Sequence, residues 1–361
     1  MLVAWILSII LNLSSSITTQ TVEDYHKYLE FQERYEQVKQ EEDERLYQKK
    51  LYEPPIPFIL DMDFSTDVDD VCAVRVATSL AKLGQIDLKA VGLCTRGENN
   101  LSALNGMLNQ AGYGDVPLGR SFAFIEDTSE YWGTLSAYAR ADFPIEESVS
   151  LYRRILSESE KPVVLCTTGY LQNISALLQS QPDGYSDKNG VDLVREKCRG
   201  IYVTGGSYPT GFDNNFFASY GAVDAVQTVV NLCPVDLYFV TQTAGGAFTC
   251  GDLIQKLDTG MEDPLTRALS AWGTGVGRHA WDPEAVYVAS VGLEQSKTIA
   301  VPVQCTIEGN GRNTFTVVES SNVYAVLRES EDLNWYKTTL NNLTLVGTKW
   351  EIKDDTETEG S

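Results

Sequence analysis

Apolar and polar positions follow two rhythms along the chain, and these rhythms predict its elements. Short apolar runs mark strands at Ile56–Leu60, Leu88–Leu93, Val163–Cys166, Gly200–Val203 and Val235–Val240. Between them, apolar residues recur at helical spacing through Val71, Val74 and Leu80, from Leu101 to Ala111, from Leu171 to Leu178, and near 220–231 and 262–274. Strands alternating with helices of this length predict an α/β fold, a mostly parallel open sheet with helices on both faces. Residues 299–328 break the alternation. They carry Val, Ile and Thr around Gly309-Asn310-Gly311, which predicts extra strands or a hairpin at one edge near the C-terminus. One domain over 54–352 accommodates all of these elements, with no internal repeat.

The ends of the chain behave differently. Leu2 to Leu13 is an apolar run followed by Ser14, Ser15 and Ser16. It is shorter than the roughly 20 apolar residues of a comfortable bilayer span. It predicts a signal peptide over 1–20, cleaved among Ser16 to Gln20, and hence a secreted protein. Residues 21–53 are crowded with charge and Tyr, and their apolar stripe (Tyr25, Leu29, Tyr35, Val38, Leu46) is ragged. That pattern predicts a solvated helical extension, and residues 353–361 form an acidic tail. Asn100-Leu101-Ser102, Asn173-Ile174-Ser175 and Asn342-Leu343-Thr344 fit the N-glycosylation pattern, which suits a secreted glycoprotein.

Composition narrows the function classes. Hydrophobic residues make up 43% of the 361 and charged residues 22%, which excludes a disordered or collagen-like chain. Asp and Glu number 50 against 28 Lys and Arg, a formal charge of −22. That sign argues against nucleic acid and against anionic membrane surfaces as partners, beyond the signal peptide itself. The seven cysteines include no CxxC pair, which argues against a thiolate zinc site. Several sit in apolar runs and read as buried small hydrophobes. One or two disulfides remain open, with at least one thiol left over.

The chemistry concentrates after the first strand, in Asp61-Met62-Asp63-Phe64-Ser65-Thr66-Asp67-Val68-Asp69-Asp70. In open α/β sheets ligands bind at the carboxyl ends of the strands. Carboxylates crowded there repel one another unless a cation neutralises them, and an all-oxygen set favours a hard ion such as Ca²⁺ or Mg²⁺. An EF-hand loop would need Gly at its sixth position and Glu at its twelfth, where this chain has Thr66 and Cys72. A phosphatase of the haloacid dehalogenase type also opens with strand-Asp-x-Asp, but places its acidic pair far downstream.

The run resembles the opening motif of the nucleoside hydrolase family, strand-Asp-x-Asp followed shortly by Asp-Asp, in a longer variant. Further segments resemble that family in order. Thr167-Thr168-Gly169-Tyr170-Leu171-Gln172-Asn173 is similar to its Thr-Gly-x-Leu-x-Asn, and Ile201-Tyr202-Val203-Thr204-Gly205-Gly206 to its strand ending in Gly-Gly. Asp213-Asn214-Asn215-Phe216 stands where the family has an acid, an aromatic and Asn. Trp281-Asp282-Pro283-Glu284-Ala285-Val286 resembles its late His-Asp-Pro-x-Ala-Val, and Asn310-Gly311-Arg312-Asn313-Thr314-Phe315 its closing turn.

The resemblance implies a Ca²⁺-dependent hydrolase of the N-glycosidic bond of ribonucleosides or related N-ribosides, releasing base and ribose. It implies that Asp63 is both metal ligand and the base that activates a metal-bound water. Asp70, the backbone carbonyl of Thr168 and Asp282 would complete the metal shell. Asp69 and Asn215 would grip ribose hydroxyls, Asp213 the 5′ end, and Asn99 or Arg96 would stand near a further sugar contact. Asp61 would orient the loop, and Asp67 has no counterpart. The family's leaving-group His is replaced by Trp281. His279, base stacking on Trp281, or Tyr131 and Trp132 in an expected lid could take over its task. A homodimer or homotetramer is implied by family likeness alone. The competing reading is a non-catalytic Ca²⁺ and ribose-binding protein of the same fold, a hydrolase that has lost its acid.

Overall fold

The computed structural model describes residues 53–64, 67–96, 98–121, 131–258, 263–347 and 351–352, together with Gln37 and Gln40. The chain divides into two compact units, Met1–Glu53 and Pro54–Ser361. In the first, Gln37 and Gln40 are helical and exposed. The expected signal peptide, the rest of the charged extension up to residue 52 and the acidic tail lie outside the described residues.

In the second unit, the apolar run that follows the prolines becomes the middle of a sheet. β1 (Ile56–Met62) is buried at every position, as a strand covered on both faces must be. It lies between β2 (Ile86–Leu93) and β5 (Val163–Thr167) and runs parallel to both. From β1 the chain winds outward through α1 (Asp69–Lys82), β2, α2 (Glu98–Gln110), β3 (Leu118–Arg120), α3 (Trp132–Ser136) and β4 (Ile145–Glu147). Helix α4 (Ser148–Glu158) then returns it to β5, on the other side of β1. It goes on through α5 (Gln172–Gln179), α6 (Gly190–Lys197), β6 (Cys198–Thr204), β7 (Thr210–Gly211), α7 (Asn214–Phe217), α8 (Ala222–Leu232) and β8 (Leu237–Val240). The order of strands therefore reverses between β1 and β5, and such a switch point opens a crevice at the carboxyl ends of the two strands.

The C-terminal third runs through α9 (Gln242–Gly245), β9 (Thr249–Cys250), α10 (Asp252–Lys256), β10 (Leu257–Asp258), α11 (Pro264–Trp272), β11 (Arg278–His279) and α12 (Trp281–Val291). α13 (Leu293–Ser296), β12 (Thr298–Ile307), β13 (Asn313–Val317), β14 (Val323–Arg328), α14 (Leu333–Thr344) and β15 (Glu351–Ile352) follow. Among the described residues the main sheet has eleven strands, in the order β4-β3-β2-β1-β5-β6-β8-β14-β12-β13-β7. The expected hairpin exists, since β12 and β13 are antiparallel. However, β14 joins the main sheet parallel to β8, so this segment extends the sheet as well as capping its edge. Val323, Ala325 and Val326 of β14 are buried, which makes the strand a fit neighbour for β8.

Strand alternation sorts β1 between two cores. Phe58, Leu60 and Met62 pack on one face with Val71, Val74 and Val286, whereas Ile59 packs on the other with Leu151, Leu171 and Ile174. Fully burying one such side chain contributes about 1.5–3 kcal/mol, so the strand that carries the acid cluster sits on firm ground. All seven cysteines are unpaired within the chain and six are buried, as small core hydrophobes. Among the glycosylation triplets, Asn100 and Asn173 are buried while Asn342 is exposed on α14. Among the described residues no helix is long and apolar enough to cross a membrane.

Candidate active site

Two acids one residue apart leave the end of β1, and they meet different company. Asp61 is fully buried, and its Oδ1 accepts hydrogen bonds from the Tyr152 hydroxyl at 2.5 Å and from Asn173 Nδ2 at 2.7 Å. Its Oδ2 accepts from Thr167 Oγ1 at 3.3 Å, and its backbone carbonyl from the Thr168 N–H at 2.8 Å. Asn173 also donates to the Leu93 carbonyl at 2.9 Å. This network ties β1, β2, β5, α4 and α5 together at the switch point. Gly92 makes room for it, because a Cβ there would lie 1.5 Å from the Tyr152 oxygen. Burial raises the Asp61 carboxyl to about 7, with the three side-chain donors pulling the other way. The expected orienting role of Asp61 thus has a physical form, a buried tether.

Asp63 faces a different set. Its carboxylate lies with those of Asp70 and Asp282 in a cluster whose ligand oxygens are all within 4.8 Å of one another. Asp70 sits in the first turn of α1 and Asp282 in the first turn of α12, where the positive end of each helix dipole favours an acid. Gly169 lets the β5 loop close on them. A Cβ there would stand 2.4 Å from the Asp63 nitrogen and 2.7 Å from its Cβ.

The decisive atoms are on Asp70. Both of its carboxyl oxygens are buried, and neither has a hydrogen-bond partner. Leaving such a group unmatched costs about 1–3 kcal/mol, more when it is charged. Burial first, then repulsion from Asp63, Asp69 and Asp67, holds the Asp70 carboxyl well above the usual range. Asp282 is raised by burial and then by Asp69 and Asp70; Asp69 by burial and then by Asp67 and Asp63. An oxygen-only set of three acids with orphaned lone pairs fits a hard divalent cation.

A cavity of about 330 Å³ opens beside the cluster. Its lining includes Asp63, Asp69, Thr168, Asp213, Asn215, Trp281 and Asp282, so most of the expected site residues are brought together. Asn215 gives its Nδ2 to the carbonyls of Thr168 (3.1 Å) and Thr204 (3.0 Å) at the ends of β5 and β6. Its Oδ1 is thereby aimed by the strands and remains an acceptor. Asp213 caps α7, accepting from the N–H groups of Asn215 (3.0 Å) and Gly206 (2.9 Å), while burial raises its carboxyl. Trp281 lies against Gly246, where a Cβ would come within 2.6 Å of the indole nitrogen.

Five residues expected at or near the site fall elsewhere. Asn99 is exposed in the first turn of α2, and Arg96 is exposed just before it. Trp132 packs half-buried against the main core, and Tyr131 is a fully buried pillar between Phe64 and Trp272, so this pair is core. His279 is exposed on β11, its ring centroid 4.8 Å from that of Trp281 and tilted by 37°, and does not line the cavity. In exchange the cavity acquires Asp67, Arg278, Tyr170 and Gln242. Asp67 and Arg278 form an ion pair 211 residues apart in sequence, a contact that no local motif announces.

No known family's sequence profile matches the chain, and no curated protein matches it. Solved structures do. The fold is similar to that of a plant nucleoside hydrolase, the PpNRh1 enzyme, with a TM-score of 0.59 and 16% identity over 81% of this chain and 99% of that one. It is similar to an inosine-uridine preferring nucleoside hydrolase from Bacillus anthracis, with a TM-score of 0.58 and 13% identity over 79% and 99%. It also matches the type III effector protein XopQ complexed with adenosine diphosphate ribose, with a TM-score of 0.59 and 16% identity over 84% and 98%. Likeness at these identities establishes the nucleoside hydrolase-like α/β fold.

Proposed function

We propose that this chain is a divalent-cation-dependent hydrolase of ribonucleosides or related N-ribosides, with Ca²⁺ as the cation, acting in the secretory pathway or outside the cell. The observation that carries it is Asp70, fully buried with both oxygens unmatched, beside Asp63 and Asp282 at the switch point of a nucleoside hydrolase-like sheet. Asp63, Asp70 and Asp282 would hold the cation, with the Thr168 carbonyl beside them. When bound, it would supply Lewis acidity toward water and sugar hydroxyls.

The remaining steps belong to the protein. Asp63 lines the cavity, where it would take the proton of the attacking water. Asp69 and the Oδ1 of Asn215 would accept hydrogen bonds from ribose hydroxyls, fixing the anomeric carbon in front of that water. Asp213 would receive the 5′ hydroxyl. Trp281 offers the cavity an aromatic face for the base. Closure of the C–N bond's electron pair onto the base completes an oxocarbenium-like displacement.

One observation favours a second reading, a non-catalytic sugar or nucleotide binder. With His279 exposed, no histidine is among the cavity's described lining residues to protonate a departing base. Base release from inosine, adenosine, guanosine, uridine, cytidine and nicotinamide riboside separates the two. The expected result is ribose formation with Ca²⁺ that chelator stops and Asp63→Asn lowers on the order of 10³-fold or more. Silence across the panel by a protein that still binds Ca²⁺ would establish the binder.

A further inference from the structure

Arg278 is the one cationic side chain among the cavity's described lining residues, facing a wall that includes Asp63, Asp67, Asp69, Asp213 and Asp282. It is held, not mobile. Nε donates to both Asp67 oxygens at 2.9 and 3.1 Å, and Nη2 donates to Oδ2. Asp67 is fixed in turn: its Oδ1 accepts from the Val68 N–H at 2.6 Å, and its carbonyl from the hydroxyl of the buried Tyr131 at 2.7 Å. The guanidinium carbon lies 5.2 Å from the Trp281 ring centroid, so charge and aromatic face form one surface. Nη1 makes no hydrogen bond to any described residue, so both of its N–H groups, and one on Nη2, are left without a partner among the described residues.

We propose that Arg278 is a further catalytic residue of this site, an electrostatic partner for the departing base. The base stacks on Trp281 while Nη1 of Arg278 donates to it as negative charge builds there. The proposal rests on the hydrolase reading above. When the glycosidic C–N bond breaks, its electron pair passes to the base nitrogen, and the oxygen of water adds to the anomeric carbon with its proton going to Asp63. The base leaves as an anion paired with the guanidinium and collects a proton from solvent afterwards. Arg278 stays protonated throughout, so the role is electrostatic and needs no general acid at position 281. A donor already fixed by Asp67 need not reorganise as charge develops on the base. The role also has a sign. It favours bases that depart as anions and disfavours a pyridinium base, which enters already cationic and departs neutral.

The test is a comparison of leaving groups in the full-length Ca²⁺-loaded protein. Arg278→Met should lose about 100-fold or more in kcat/KM on its best nucleoside, yet stay within about threefold of wild type on p-nitrophenyl riboside, whose nitrophenolate departs unaided. Arg278→Lys keeps the charge without the fork and should fall about tenfold on the nucleoside alone. It carries the test by itself if the Met variant does not fold. Both variants should show the wild-type rise in melting temperature with Ca²⁺. Equal losses on the two substrates, or none on either, would overturn the Arg278 assignment and leave the hydrolase standing. Wild-type protein inert toward both substrates would overturn the hydrolase reading and this role with it.

Discussion

Asp61 and Asp70 come from one short stretch of chain, are equally buried, and are equally acidic in free solution, yet the structure treats them in opposite ways. Asp61 accepts from Tyr152, Asn173 and Thr167, so its burial is matched inside the protein. The Asp70 oxygens have no partner in hydrogen-bond geometry and face two more carboxylates, and the Asp67 backbone offsets less than burial and repulsion impose. Burial alone therefore does not tell a structural acid from a functional one. The inventory of donors does: where the protein supplies them the acid is a tether, and where it withholds them something else must come.

The comparison breaks most visibly at Asp70. Asp70→Asn should lower nucleoside hydrolysis on the order of 10³-fold or more, because it removes a carboxylate with no internal task. The stability signature should cross over. In chelator at neutral pH the variant should melt at or above the wild type, since a buried repelling acid is gone. In Ca²⁺ it should melt below, having lost most of the stabilisation that ligand binding gives the folded state. Calorimetry in both buffers reads this directly, and a variant that melts lower in chelator would sink the idea that Asp70 is unmatched.

Asp61→Asn should do the reverse, destabilising the protein with and without cation by about 1–3 kcal/mol, because the amide brings two buried N–H groups, one more donor than the neutral acid, into a pocket already full of donors. Its pH dependence has a fixed sign. The folded carboxyl titrates at about 7 against an ordinary 3.8, so it binds its proton more tightly folded than unfolded. Its contribution is fully present below pH about 4 and is lost as pH rises through about 7. Denaturant melts in chelator should accordingly show the gap between wild type and Asp61→Asn widest near pH 4 and narrowing toward pH 8. A gap that grows with pH would mean that Asp61 is held charged.

What could be seen in sequence follows the same physics. Strands buried on both faces must be continuously apolar, so β1, β2, β5, β6 and β8 announce themselves, and acids that directly follow such a strand stand out. Gly169 and the Gly205-Gly206 pair also carry local meaning, since each sits where a Cβ would strike a neighbour. The sequence expectations had no counterpart for the three-residue strands β3 and β4 or for helices α4, α6 and α14. Asn99 after the second strand and Trp132 in the expected lid lie in segments whose paths no motif fixes, and the structure puts both outside the cavity. Asn173 looked like a glycosylation acceptor because three letters match, yet its amide holds Asp61 and Leu93. The Asp67–Arg278 pair depends on two distant loops meeting, which only the folded chain reveals.

The smallest effect tests the comparison one residue at a time, at Thr167 and Thr168. The two hydroxyls are adjacent in sequence at the end of β5 and both are buried, but strand alternation turns them toward different neighbours. Thr167 Oγ1 donates to Asp61 at 3.3 Å, a long bond, whereas Thr168 Oγ1 is buried without a partner and its residue lines the cavity. Valine replaces each with little change in shape. Thr167→Val should cost about 0.5–1 kcal/mol, the low end for a lost internal hydrogen bond. Thr168→Val should cost nothing in chelator and could gain a few tenths of a kcal/mol, because it deletes an unmatched polar atom. If Thr168→Val proved as costly as Thr167→Val, its hydroxyl would have a partner in solution, and the division between a matched network and an unmatched cluster would have to be drawn somewhere other than between these two residues.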